Sequence, residues 1–155
     1  MLETGEKAAP FSLPDHDGSQ VSLGDFEGSW LVLYFYPKDN TPGCTTEACD
    51  FTESIEDFKG LEARVVGVSP DSARSHSNFI EKHKLAITLL SDPEHKVIEA
   101  YGAWQKKKMY GREYWGVQRS TVLIDPQGTL AYHWPKVSVK GHVSEVKDKL
   151  AELRE

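Results

Sequence analysis

Apolar positions along the chain fall into short runs separated by polar turns, and each run has the length of one secondary-structure element. Trp30-Leu-Val-Leu-Tyr-Phe-Tyr36 is continuously apolar and aromatic and is stopped by Pro37, the pattern of a central strand buried on both faces. Arg64-Val-Val-Gly-Val-Ser69 and the shorter Ile87-Thr-Leu-Leu90 read the same way. Ala48, Phe51, Ile55 and Phe58 recur at three- and four-residue spacing, predicting one amphipathic helix from about Thr45 to Phe58, ended by Gly60. Pro70-Asp71-Ser72 opens a second helix reaching about His83, with Asp71 as its cap. In a third, Asp92 caps and Pro93 takes the first helical position, and the helix ends near Tyr101-Gly102. A closing helix runs from about Val143 to Leu150 on an apolar face of Val143, Val146 and Leu150.

Two stretches read as hairpins. Phe11–Leu23 alternates around an Asp17-Gly18 turn, and Ser120–Ile124 is joined to Thr129–Tyr132 by Asp125-Pro-Gln-Gly128. The segment from Ala103 to Val117, rich in Gly, Lys and aromatic residues, reads as a loop. Strands alternating with helices, then a hairpin and a helix, imply an α/β domain whose central sheet carries helices on both faces.

At 155 residues the chain suits one domain, 1–155, with a single substantial core. A formal charge of −6 argues against duplex DNA or an anionic membrane as the main partner, since both attract basic footprints. Lys106-Lys107-Lys108, the one basic run, reads as a solvated stretch, with docking of an acidic partner as the lesser reading. Met1-Leu-Glu-Thr-Gly-Glu-Lys7 has neither the basic head nor the apolar stretch of an export signal. A cytoplasmic location is therefore expected, where a close cysteine pair is more often catalytic or metal-binding than structural.

Both cysteines fall where the first long strand gives way to the first helix, Pro37-Lys-Asp-Asn-Thr41-Pro-Gly-Cys44-Thr-Thr-Glu47-Ala-Cys49. A thiol at a helix start meets free backbone N–H groups and the positive end of the macrodipole. In such settings its pKa can fall from about 8.5 to roughly 3.5–7.5, leaving the reactive thiolate. Five steps along an ideal helix separate Cα atoms by roughly 8.5 Å. A disulfide tolerates at most about 7 Å. If Cys44 and Cys49 pair, the first turns must unwind; otherwise Cys49 is a core residue. The Thr41 hydroxyl can turn back to the sulfur or merely stabilise the turn beside Pro42. Arg119 precedes a buried strand, so its head can project from the strand's start, although an isolated arginine there is usually solvated. A Cys/His metal module would draw on His16, His76, His83, His95, His133 or His142, which lack the short ligand pairs that zinc favours. A protein disulfide oxidoreductase would carry Cys-x-x-Cys, and four residues intervene here.

Pro37, Thr41 and Cys44 form the pattern Pro-x-x-x-Thr-x-x-Cys, which resembles the active-site motif of the peroxiredoxins. The second cysteine five positions on resembles the Q-type branch, also called bacterioferritin comigratory proteins. The resemblance extends through Ala9-Pro10-Phe11, Val66–Ser69, Leu90–Asp92, Arg119–Asp125 and Gly141–Val143. It implies a thioredoxin-like fold with a mixed central β-sheet and an N-terminal hairpin. It also implies a thiol-dependent peroxidase acting on hydrogen peroxide and organic hydroperoxides in a shallow pocket above the helix start. Cys44 would be the peroxidatic cysteine and Cys49 the resolving one, joined in an intramolecular disulfide. Thr41 and Arg119 would hold the peroxide, and Pro37 would shield the site. Glu47 is usual in this branch, without an evident physical role. No metal, haem or flavin is implied, and the reductant would be thioredoxin or a glutaredoxin-type dithiol acting on a monomer or weak dimer.

Overall fold

The computed structural model describes residues 2–155. The chain opens with the hairpin β1 (Ser12–Pro14) and β2 (Gln20–Ser22), then a 3-10 helix (Leu23–Phe26) and β3 (Trp30–Phe35). Next come α1 (Pro42–Glu53), α2 (Ile55–Gly60), β4 (Ala63–Ser69), α3 (Ala73–His83), β5 (Thr88–Ser91) and α4 (Lys96–Ala100). A second hairpin, β6 (Trp104–Met109) and β7 (Arg112–Val117), leads to β8 (Ser120–Ile124), β9 (Leu130–Trp134) and α5 (His142–Leu153).

The central sheet has the order β5-β4-β3-β8-β9. Strands β3, β4 and β5 are parallel, while β8 runs antiparallel to β3 and β9 antiparallel to β8, which makes the sheet mixed. Alternation along β3 divides the core. Val32, Tyr34 and Tyr36 face Phe51, Phe58, Phe79, Val146 and Leu150 from α1, α2, α3 and α5. Leu31, Leu33 and Phe35 face Phe11, Phe26, Ile98 and Tyr101 from the N-terminal segment and around α4. Helices thus flank both faces, as the element order implies, and α1 starts at the C-terminal end of β3.

One close approach seats α1. Tyr34 lies opposite Gly67 in the β3–β4 register and stacks on Phe51 of α1 with ring centroids 4.8 Å apart. A β-carbon at Gly67 would come within 2.7 Å of Tyr34 Cζ and 2.9 Å of Leu89 Cδ2, so the ring lies flat only because position 67 has no side chain.

Four sequence expectations need correction. The single helix Thr45–Phe58 is two helices broken at Ser54, whose N–H lies 3.2 Å from both the Asp50 and Phe51 carbonyls. The break keeps Phe51 and Phe58 on the core side, so apolar spacing alone does not reveal it. Ser72, not Asp71, caps α3, its Oγ accepting the Ser75 N–H at 3.1 Å. Asp71 instead turns inward to accept the Asp39 N–H and the Ser69 hydroxyl, both at 2.8 Å. The helix assigned to Pro93 starts only at Lys96, although the Asp92 carboxylate still reaches the Ile98 N–H at 2.9 Å. Finally, Ala103–Val117 is no loop. Lys106 pairs with Trp115 and Met109 with Arg112, closed by Tyr110 and Gly111 at φ 52° and 78°. Two left-handed residues form the tight turn that matches strand twist, but lysine-rich strands show no apolar alternation.

Gly67→Ala is expected to lower stability by about 1–3 kcal/mol, the usual cost of overpacking a filled core. Chemical denaturation checks it; an unchanged midpoint would contradict the close-packing account of Tyr34.

Candidate active site

The segment between β3 and α1 is pinned before the cysteine arrives. Pro37 follows β3 half-buried, and the Asp39 backbone N–H donates to Asp71. The buried Asp39 carboxylate accepts from the Tyr36 hydroxyl (2.6 Å) and the Ser75 hydroxyl (2.7 Å), and lies 2.8 Å from His76 Nδ1. Asn40 then takes a left-handed conformation, φ 61°, and turns the chain into Thr41. Thr41 is the N-cap residue of α1, with Pro42 at the first helical position, and the first i→i+4 bond runs from Thr45 N to Thr41 O at 2.9 Å.

Cys44 therefore sits in the first helical turn, where the N–H groups of Gly43 and Cys44 have no upstream helical acceptor. Cys44 is only 1% exposed. Arg119, from the residue before β8, reaches across and places Nη2 3.2 Å from Cys44 Sγ. Gly43 makes room, since a β-carbon there would lie 3.2 Å from the same Nη2. Arg119 is thus not solvated but built into the site.

The partner that sequence reasoning left without a role is Glu47. Three residues after Cys44, on the same side of α1, it is fully buried and its Oε1 accepts from Arg119 Nη1 at 2.6 Å. Its other oxygen has no hydrogen-bond partner, and neither does the nearby Tyr34 hydroxyl. Burial pushes the Glu47 carboxyl up to about 7 despite the opposing pull of Arg119. For Arg119 the balance goes the other way: burial works against its charge, but Glu47 and Cys44 outweigh it and its pKa is raised. Spacing could have flagged Glu47, because positions i and i+3 share a helix face; only tertiary packing reveals its burial.

Thr41 is not brought to the sulfur. Its Oγ1 donates to the Lys38 carbonyl at 2.8 Å, the turn-stabilising alternative, and keeps its lone pairs free. Cys49 lies on the same unbroken α1, half-buried, and both thiols are free. Burial raises the Cys49 pKa, and Asp50 and Glu53 add to it. Lys107 is not fully solvated: burial lowers its pKa, Arg119 lowers it further and Cys44 opposes.

Among the described residues, the clusters able to hold a metal are Asp15–His16–Asp17 and Asp39–Asp71–His76, and neither includes a cysteine. A cavity of about 460 Å³, lined by residues such as Phe11, Phe26, Leu31 and Ile124, opens at the opposite end of the sheet and has no part in this site. No helix among the described residues is long and apolar enough to cross a membrane.

Residues 4–133 match the AhpC/TSA family. A protein named Peroxiredoxin Bcp from Bacillus subtilis is 51% identical over 154 residues, covering 99% of this chain and 98% of that one. A structure of the Xanthomonas campestris bacterioferritin comigratory protein superposes with a TM-score of 0.90 at 40% identity, covering 94% of this chain and 92% of that one. A cysteine-to-serine mutant of Xylella fastidiosa PrxQ superposes with a TM-score of 0.94 at 36% identity, covering 100% and 99% respectively. These neighbours are thioredoxin-fold peroxiredoxins.

Glu47 yields a signed pH dependence. Between its ordinary value of 4.5 and about 7, an unfolded chain loses the Glu47 proton while the native chain keeps it. Native stability therefore falls as pH rises through that window. Glu47→Gln is expected to flatten that part of the decline in thermal midpoint; a slope identical to the wild type would contradict it.

Proposed function

The chain belongs to the AhpC/TSA family and is a thiol-dependent peroxidase, and on that premise we propose that Cys44 is the residue that attacks the peroxide. The observation that carries the assignment is the Arg119 guanidinium 3.2 Å from a sulfur held in the first turn of α1. A fixed cation there offsets the charge of a thiolate, then the charge that develops as the O–O bond breaks. Arginine suits this better than lysine because its fork serves Glu47 and Cys44 together.

The Cys44 thiolate attacks one peroxide oxygen, the O–O bond breaks, and the leaving oxygen takes a proton and departs as water or alcohol. Cys44 is left as sulfenic acid. Thr41 accepts a hydrogen bond from the peroxide through its free lone pairs, Arg119 donates one, and Pro37 limits water. Cys49 then attacks the sulfenic sulfur, water leaves, and the disulfide forms. On one intact helix the two cysteines are roughly 8.5 Å apart between Cα atoms, so α1 must unwind first. The protein needs a thiol-based reductant, which we assign to thioredoxin or a glutaredoxin-type dithiol acting through a mixed disulfide. Action as a single monomeric domain in the cytoplasm, without a bound cofactor, belongs to the same reading.

Cys44→Ser is expected to abolish peroxide consumption. Cys49→Ser should keep the first oxidation, seen as one sulfenic acid by mass, and lose recycling by thioredoxin. Arg119→Met should slow that first oxidation by about 10²-fold, the usual loss on removing one such donor. Retained turnover by Cys44→Ser would overturn the assignment.

A further inference from the structure

The large hydrophobic side chains exposed among the described residues are Met109 (55%), Tyr110 (98%), Tyr114 (42%) and Trp115 (58%). All four lie within the outer part of the β6–β7 hairpin, which pairs with itself outside the central sheet. The same hairpin carries Lys106, Lys107, Lys108 and Arg112 against the single acid Glu113, in a chain of net charge −6. Lys106 is engaged by Glu113 at 2.7 Å, whereas Lys108 and Arg112 stand outside the ion pairs of the described residues. Strand register places Met109, Tyr114 and Arg112 on the face that Lys107 shares, and Trp115 and Lys108 on the other with Lys106, so both faces of the hairpin present exposed apolar side chains beside cations.

Its position gives the surface a role. Strand β7 ends at Val117, two residues before Arg119, and half-buried Lys107 responds to the charges of Arg119 and Cys44. A partner bound to the hairpin is therefore joined through β7 to the short segment that carries Arg119, the residue that reaches Cys44.

We propose that the β6–β7 hairpin is the docking surface for the dithiol reductant, which is recognised as an acidic protein with an apolar contact face. The proposal rests on the thiol peroxidase reading and adds the partner's point of contact. Charge complementarity selects this occupant. A second copy meeting the hairpin about a twofold axis would bring the same excess of cations against it. An anionic lipid surface would have to accept the remaining acidic body of the chain, whereas a small acidic protein meets only the basic hairpin. Docking leads to one defined exchange: a reductant thiolate attacks one sulfur of the Cys44–Cys49 disulfide, the other leaves as thiolate, and the second reductant thiol releases the mixed disulfide.

The test uses two variants, Lys108→Glu with Arg112→Glu, and Tyr110→Ser with Trp115→Ser, each assayed with a purified acidic thioredoxin and separately with dithiothreitol. Each is expected to lower kcat/KM for thioredoxin about tenfold or more, with the charge variant losing most of the salt dependence. Peroxide oxidation of Cys44 and recycling by dithiothreitol should stay at wild-type rates. Unchanged thioredoxin kinetics would overturn the proposal. So would equal losses with dithiothreitol, which would make the hairpin part of the peroxide site. Loss of binding to phosphatidylserine vesicles, or of a wild-type dimer in sedimentation, with thioredoxin kinetics intact would overturn it in favour of a lipid or a second copy. If Cys44→Ser retained turnover instead, the underlying peroxidase assignment would fail, a result the hairpin variants do not affect.

Discussion

One guanidinium joins the two elements whose meeting makes the site. Arg119 leaves the start of β8, and its Nη1 and Nη2 reach Glu47 at 2.6 Å and Cys44 at 3.2 Å, two side chains one helical turn apart on α1. The cation is held by a carboxylate that has no exposure to water. Burying such a group is costly unless a partner offsets it, and only one of its oxygens has a partner here. The residual cost shows as a carboxyl lifted to about 7. Glu47 thus gives up stability for aim, fixing a side chain that would otherwise sweep through solvent.

The proposed cycle requires the same helix to be firm in one state and open in another. Tyr34, Phe51 and the bare Cα of Gly67 hold the C-terminal part of α1 against the sheet. Upstream, Asp39 ties the incoming loop to Tyr36, Ser75 and Asp71 through buried and half-buried hydrogen bonds. Downstream, the break at Ser54 separates α1 from α2. Opening of the first turns is therefore bounded on both sides. In the proposed cycle the thiols would change partners without releasing β3 or the helices packed on it.

Much of this was legible in the sequence because local rules and tertiary demands agreed. The apolar run ending at Pro37, the turn residues Pro42 and Gly43, and the thiols beyond them announce a strand feeding a helix N-terminus. Arg119 needed the family resemblance, since nothing local distinguishes it from a solvated arginine. Other features depended on contacts between distant segments. The inward turn of Asp71 follows from the Asp39 backbone 32 positions away, so local capping rules chose the wrong residue. Glu47 reads as a surface acid on a helix until Arg119 arrives from 72 positions later. The β6–β7 hairpin was hidden by its exposure: only its base, Trp104 and Val117, packs on the core, so the outer strands carry no apolar alternation.

The central claim is that α1 is helical while both thiols are free and melted where they are joined. Hydrogen exchange followed by mass spectrometry, on reduced protein and on protein oxidised with one equivalent of peroxide, reads this directly. Peptides covering Pro42 to Cys49 should lose protection on oxidation, while those covering β3 and β4 keep theirs. A Cys44–Cys49 disulfide formed with the first turns of α1 as protected as before would contradict it.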